Sequence, residues 1–140
     1  MTPQQIQDVT RTWAMVAPTA DAAVALFYER LFAIDPALRA FFAGTDLPAQ
    51  RRKLAAALAT VLGGLDRLDA LLPALADLGR RHARLGVVDR HYDRVGEALL
   101  WTLEQGLGAA WTDDVHAAWV AAYGLVADAM RTGDDARLAA

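Results

Sequence analysis

The chain has 140 residues, with 14 basic and 17 acidic side chains and a formal net charge of −3. This charge gives no general attraction to nucleic acid or to an anionic membrane surface. The sequence contains no cysteine, which excludes disulfides, thiolate metal sites and thioether-linked cofactors within it. The start, MTPQQIQDVT, lacks the features of a signal peptide, and the longest apolar run, at 54–65, is too short to cross a bilayer. We therefore expect a cytoplasmic protein with no nucleic-acid or membrane partner.

Apolar residues recur at intervals of three and four along nearly the whole chain, and no segment alternates with period two. This pattern predicts an all-α protein, and the length fits one domain over residues 1–140. Thr2 before Pro3 predicts the cap and start of the first helix, which Pro18 closes. The later helices are predicted at about 19–34, 35–44, 48–62, 65–86 with a break near Pro73, 89–106 and 112–132.

His82 stands at a position where helical periodicity predicts a leucine. Leu71, Leu75, Leu78 and Leu85 lie at steps of three and four around it and form an apolar stripe. The imidazole is therefore expected to point inward, where burial without a partner would cost about 1–3 kcal/mol. Spacing alone leaves two interpretations open: a core histidine with a protein hydrogen bond, or a metal ligand. A single histidine suits haem iron in particular, because the porphyrin fills four other positions.

A second apolar surface is predicted on the helix over residues 48–62. Leu54, Ala57 and Leu58 recur there at helical spacing, and Gln50 is a polar member near the helix start. Tyr28 likewise lies on an apolar helical face. Taken separately, Gln50 is explained as a solvated glutamine, and Tyr28 is explained as a core tyrosine whose hydroxyl reaches the surface. Neither residue indicates a site on its own.

Several short motifs occur in order along the chain. They are FYxxLF at 27–32, Pro36 and Phe42, QRxxL at 50–54, LGRRH at 78–82, GVVDxHY at 86–92, VGEALL at 95–100 and AAWxxAYG at 117–124. Together they resemble the single-domain bacterial globins and the haem domain of flavohaemoglobins, and the segment 78–130 also resembles neuroglobin. The resemblance covers nearly the whole chain. It implies the globin fold, a three-over-three helical sandwich around a haem b that is bound noncovalently.

The resemblance also implies roles for the candidate site residues. His82 would be the proximal iron ligand and Phe42 would pack on the porphyrin. Tyr28 and Gln50 would line the distal side as the catalytic pair. The other cofactor-binding candidates are Lys53, Leu54, Ala57, Leu58, Leu78, Arg81, Val87, Tyr92 and Val95.

The same resemblance also implies which charged groups would lie around the cofactor. Lys53 and Arg81 resemble residues that approach the haem propionates, and two carboxylates at a pocket mouth need cations or water. The flavohaemoglobin pattern also places a tyrosine and a glutamate behind the proximal histidine, where they strengthen its electron donation. Tyr92 matches the tyrosine, whereas Asp134 stands in place of the glutamate with one methylene fewer, just after a predicted helix end. We therefore expect this proximal pair to be incomplete.

Ferrous haem in such a site would bind O2, NO and CO. Oxygen gains partial negative charge there, and donors such as Tyr28 and Gln50 could each stabilise it by about 1 kcal/mol or more. Slow oxygen release would suit nitric oxide dioxygenation to nitrate, which is the leading hypothesis.

The alternatives are an oxygen-storage or transport globin, a redox or gas sensor and, from another class, a haem-free globin-like interaction module. Because the sequence ends at residue 140, we expect a separate reductase, and we expect a monomer or weak dimer.

Overall fold

The computed structural model describes the backbone of residues 1–139 and the side chains of residues 1–132. Within this range six α-helices form: α1 (Pro3–Val16), α2 (Ala20–Ile34), α3 (Leu47–Gly63), α4 (Leu68–Arg84), α5 (Asp89–Leu107) and α6 (Asp113–Ala139). Short 3₁₀ helices lie between them at Ala17–Thr19, Pro36–Phe42, Leu65–Arg67 and Gly108–Ala110. The described backbone contains no strand, which confirms the all-α prediction. None of the described helices has the length and apolar character needed to cross a membrane.

Polar side chains cap the helices where the sequence predicts their starts. Thr2 Oγ1 accepts the backbone N–H of Gln5 at 3.1 Å, and Gln5 Oε1 accepts the backbone N–H of Thr2 at 3.0 Å. This reciprocal pair is a capping box at the start of α1. Asp35 and Asp46 each accept a backbone N–H at the start of the second 3₁₀ helix and of α3. These caps satisfy donors that the first turn of a helix leaves without partners.

The helices differ from the sequence prediction within α4, at both ends of α4 and at the end of α6. α4 continues through Pro73, where the sequence predicts a break. Pro73 and Asp69 are both exposed, so water can bond the Asp69 carbonyl that the missing proline N–H leaves without a donor. The apolar stripe predicts that Leu85 faces inward, but Leu85 is 71% exposed. The reason is that α4 ends at Arg84, so Leu85 lies beyond the helix and no longer follows its periodicity. α6 runs to Ala139, beyond the end predicted at Thr132.

The helices that carry the candidate site are held by different neighbours. α1 and α4 both pack on α6, while α2 packs on α5 and α3. Trp119 of α6 donates its Nε1–H to Thr12 Oγ1 of α1 at 2.9 Å, which satisfies both buried polar groups. α3 and α4 make few contacts with each other. Gln50 and His82 therefore stand on helices that other elements position.

Gly79 is the described glycine at which an added side chain would meet the backbone of another helix. Gly79 is buried, and a Cβ at this position would overlap the backbone carbonyl of Met130 in α6. Gly79→Ala should therefore lower the free energy of unfolding by about 1–3 kcal/mol, because the two helix backbones must separate. Urea denaturation measures this change. The same separation would move His82, which lies one turn further along α4.

Gly124→Ala is the matched control for this substitution. Gly124 lies inside α6, but a Cβ there would have no neighbouring atom within 4 Å. The extra methyl group should raise the free energy of unfolding by about 0.5–1 kcal/mol, since alanine loses less backbone entropy in a helix. Wild-type stability in Gly79→Ala would contradict the close contact between α4 and α6.

Candidate functional site

Tyr28 of α2 and Gln50 of α3 meet inside the fold. Gln50 Nε2 donates a hydrogen bond to Tyr28 Oη at 3.3 Å. Tyr28 is 5% exposed, and its ring meets that of Phe42 edge-on, with the centroids 5.4 Å apart. The Tyr28 hydroxyl accepts the bond from Gln50 and donates to no described group. Its own proton is therefore available to a further acceptor.

Apolar side chains surround Tyr28 of this pair. Tyr28 belongs to a core cluster with Phe27, Leu31 and other residues of α2, and several predicted cofactor-binding residues pack against that cluster. Those residues are Phe42, Leu54, Leu58 and Val95. The structure thus brings together predicted site residues from α2, the second 3₁₀ helix, α3 and α5. Few polar partners are available to Tyr28 in such surroundings, so the bond from Gln50 orients its hydroxyl.

The environment of Tyr28 keeps its hydroxyl protonated. Burial raises the pKa of Tyr28 above its ordinary value of 10.0, while the hydrogen bond from Gln50 and the positive charge of Arg51 oppose the shift. At neutral pH the group is a hydrogen-bond donor and not a phenolate. Above the ordinary tyrosine pKa the unfolded chain releases a proton that folded Tyr28 retains, so this group makes folding less favourable as the pH rises through that range.

The opposing contributions to the pKa of Tyr28 can be separated by substitution. Gln50→Leu and Arg51→Gln should each raise the pKa further, because each removes an interaction that favours the phenolate. Phenolate absorbance during alkaline titration measures the pKa, and Tyr28→Phe identifies the transition that belongs to this residue. Arg52→Gln is the matched control, since Arg52 is an exposed neighbour that does not contribute to the shift. A lower pKa in Gln50→Leu would contradict the hydrogen bond.

His82 of α4 is half-buried and oriented by its own helix. Its Nδ1 lies 2.8 Å from the backbone carbonyl oxygen of Leu78. A carbonyl can only accept, so Nδ1 carries the proton and the neutral ring has its lone pair on Nε2. Nε2 has no hydrogen-bond partner among residues 1–132. This arrangement fits a metal ligand, because metal-bound histidines usually donate their other ring nitrogen to a carbonyl or carboxylate.

A group of side chains from α5 and α6 includes the predicted proximal tyrosine, Tyr92. Tyr123 of α6 donates its hydroxyl to the Tyr92 backbone carbonyl at 2.6 Å, and burial raises the pKa of Tyr123. The guanidinium carbon of Arg131 lies 4.6 Å from the centroid of the Tyr92 ring. The sequence motif AAWxxAYG contained Tyr123, but it did not indicate these contacts. The side chain of Asp134, the predicted partner of Tyr92, lies outside the described residues.

The remaining predicted site residues do not belong to the apolar cluster around Tyr28. The half-buried ones are Leu78, Val87 and Tyr92, and the exposed ones are Lys53, Ala57 and Arg81. Arg81 contacts Asp77 through an ion pair of 3.3 Å within α4. Lys53 has no ion pair with any residue in 1–132. Both cations are therefore available at the surface, where an exposed ion pair holds Arg81 only weakly.

Residues 25–130 match the family model described as Globin. The chain belongs to the globin family. The matched segment includes Tyr28, Gln50 and His82, and it covers most of the chain. The globin fold that the order of motifs predicts is thereby confirmed.

Curated relatives of this globin include flavohemoproteins from several bacteria. That of Bacillus subtilis is 36% identical over 105 residues, or 74% of this chain and 26% of the relative. The Rhizobium meliloti protein is 34% identical over 131 residues, or 91% of this chain and 32% of the relative. The Bordetella bronchiseptica protein is 38% identical over 104 residues, or 73% of this chain and 26% of the relative. The globin therefore spans about a quarter to a third of their length.

Proposed function

We propose that this globin holds a haem b noncovalently, with His82 Nε2 as the iron ligand. The observation that carries the proposal is the imidazole itself, because Leu78 fixes Nδ1 while Nε2 has no partner in residues 1–132. The flavohemoprotein relatives are named for haem and flavin. The sequence has no cysteine for a thioether link, which supports noncovalent binding.

The predicted lining residues suit a flat apolar cofactor with a charged edge. Phe42, Leu54, Leu58 and Val95 offer apolar contact from one side of the fold. Exposed Lys53 and Arg81 can turn toward the carboxylates of a haem, since neither is held by a buried partner. A bound haem supplies an iron centre that binds diatomic gases and can change its oxidation state.

The Tyr28–Gln50 pair supports a preference for oxygen over less polarised gases. The Tyr28 hydroxyl keeps its proton and Gln50 holds the phenol in place. A donor in apolar surroundings stabilises a ligand that gains negative charge more than one that does not. We propose that the pair slows oxygen release and that the protein converts nitric oxide to nitrate. This reaction combines one NO, one O2 and one electron into one nitrate ion.

The proposed turnover needs an electron donor. Each nitrate formed consumes one electron, so a reductase must return the haem iron to its ferrous state. The names of the flavohemoprotein relatives associate haem with flavin, and a flavin reductase is therefore the proposed partner.

Stopped-flow mixing of the oxygenated protein with nitric oxide tests the function. The purified protein is first titrated with haem, and formation of a Soret band measures binding. We expect one nitrate per nitric oxide in the first cycle and repeated cycles when a flavin reductase and NADH are added. Release of unreacted oxygen with no prompt nitrate would contradict dioxygenation. The absence of a Soret band would instead favour a haem-free interaction module.

A further inference from the structure

An exposed apolar patch lies where the loop after α4 meets the second 3₁₀ helix. Phe41, Leu85 and Val88 are 39%, 71% and 46% exposed, and we call them the corner patch. The Phe41 ring lies 5.1 Å from that of His91 at a steep angle. A Cβ at Gly86 would lie 3.8 Å from Phe41 Cε1. The two segments therefore pack against each other and leave apolar side chains uncovered on the outside.

Two arginines without an ion pair in residues 1–132 lie next to the corner patch along the chain. Residues 80–94 contain five arginines and two aspartates, and three of the arginines pair with carboxylates of α4 and α5 just outside this range. The two aspartates, Asp89 and Asp93, contact Arg131 at 3.5 and 3.9 Å. Arg84 and Arg90 are exposed and have no ion pair within residues 1–132. Arg84 directly precedes Leu85 and Arg90 follows Val88 by two residues, so both cations are close to the corner patch along the chain.

The corner patch is also close to the proposed iron ligand along the backbone. The carbonyl oxygen of His82 accepts hydrogen bonds from the N–H groups of Leu85 at 3.0 Å and Val87 at 3.1 Å. Gly86 has φ +95° and turns the chain sharply between them. A protein bound at the corner would thus contact the turn that encloses the end of the His82 helix.

We propose that the corner patch docks an acidic flavoprotein that donates electrons to this globin. The proposal rests on the proposed function for the use of the electron. Unpaired arginines beside an apolar centre attract a negatively charged partner and accelerate its association. A symmetric contact with a second copy is disfavoured, because it would bring Arg84 and Arg90 toward the same cations. In each encounter the donor loses one electron and the ferric haem iron becomes ferrous.

Binding of purified flavodoxin, used as the acidic probe, tests the surface. Isothermal calorimetry with oxidised flavodoxin should show binding at low ionic strength that weakens at physiological salt. Leu85→Ser and Arg90→Gln should each weaken it about 5–10-fold, as expected for a contributing interface residue. With reduced flavodoxin, the rate of haem reduction should fall in the same proportion. Reduction by dithionite should be unchanged, because that reductant needs no docking surface.

Matched substitutions elsewhere on the surface serve as controls. Leu125→Ser replaces an exposed leucine of α6, and Arg67→Gln replaces an exposed arginine before α4. Both should bind flavodoxin like the wild type. Equal affinity in all four variants, or no binding at low salt, would overturn the proposal. Calorimetry does not require haem, so binding to the haem-free protein would support the corner patch even if nitrate formation failed.

Discussion

The His82→Ala variant is expected to fold normally and to lose stable haem binding. His82 makes its hydrogen bond within α4, and alanine favours helix, so the fold does not depend on the imidazole. Haem affinity should fall by more than about 100-fold, because loss of a direct ligand exceeds the 10–100-fold effect typical of supporting residues. Titration with haem, followed by the Soret band, measures the affinity. Circular dichroism checks that the helices remain.

Added imidazole distinguishes loss of the ligand from loss of the pocket. In His82→Ala it should restore part of the Soret spectrum, because it can occupy the space that the side chain leaves. His116→Ala is the matched control, since His116 is exposed on α6 and packs on Trp111. That variant should bind haem like the wild type. An unchanged spectrum in His82→Ala would remove the central assignment of the site.

Tyr28→Phe and Gln50→Leu should each accelerate oxygen release while changing carbon monoxide release less. Oxygen gains more negative charge on iron than carbon monoxide does, so it loses more when a donor is removed. One hydrogen bond contributes about 1 kcal/mol net, and 1.4 kcal/mol corresponds to a tenfold change, so roughly a fivefold acceleration is expected per variant. Flash photolysis and ligand replacement in a stopped-flow instrument give both release rates.

The bond between Gln50 and Tyr28 makes a further outcome specific to this structure. Since Gln50 orients the Tyr28 hydroxyl at 3.3 Å, the double variant should not accelerate release by the product of the single effects. Gln105→Leu is the control, because Gln105 is an exposed glutamine of α5 that lies outside the predicted site. Its oxygen release should match the wild type. Equal acceleration of oxygen and carbon monoxide in Tyr28→Phe would indicate steric access in place of hydrogen bonding.

Local features of the sequence predict much of the helical framework. Thr2 and Asp35 cap helices at the expected positions because a cap needs only a side chain and the next backbone turn, whereas the Asp46 cap starts α3 at Leu47 and not at the predicted Pro48. The hydrogen bond from His82 to Leu78 is local in the same sense, since it joins residues four apart in one helix. Periodicity fails at Pro73 and Leu85. A proline can remain in a helix when the carbonyl four residues earlier, which its missing N–H leaves without a donor, faces water. Whether that carbonyl is exposed depends on how the whole molecule packs.

The sequence by itself determines the helical class, the capped helix starts and, through the order of its motifs, the globin family. Only the tertiary structure decides that Gln50 donates to Tyr28, that Tyr123 holds the Tyr92 carbonyl and that Gly79 lies against Met130. Each of these contacts joins residues on different helices. Sequence periodicity predicts which face of a helix is buried, but it does not predict which residue of another helix meets it. That choice depends on how all the helices pack together to fill the core.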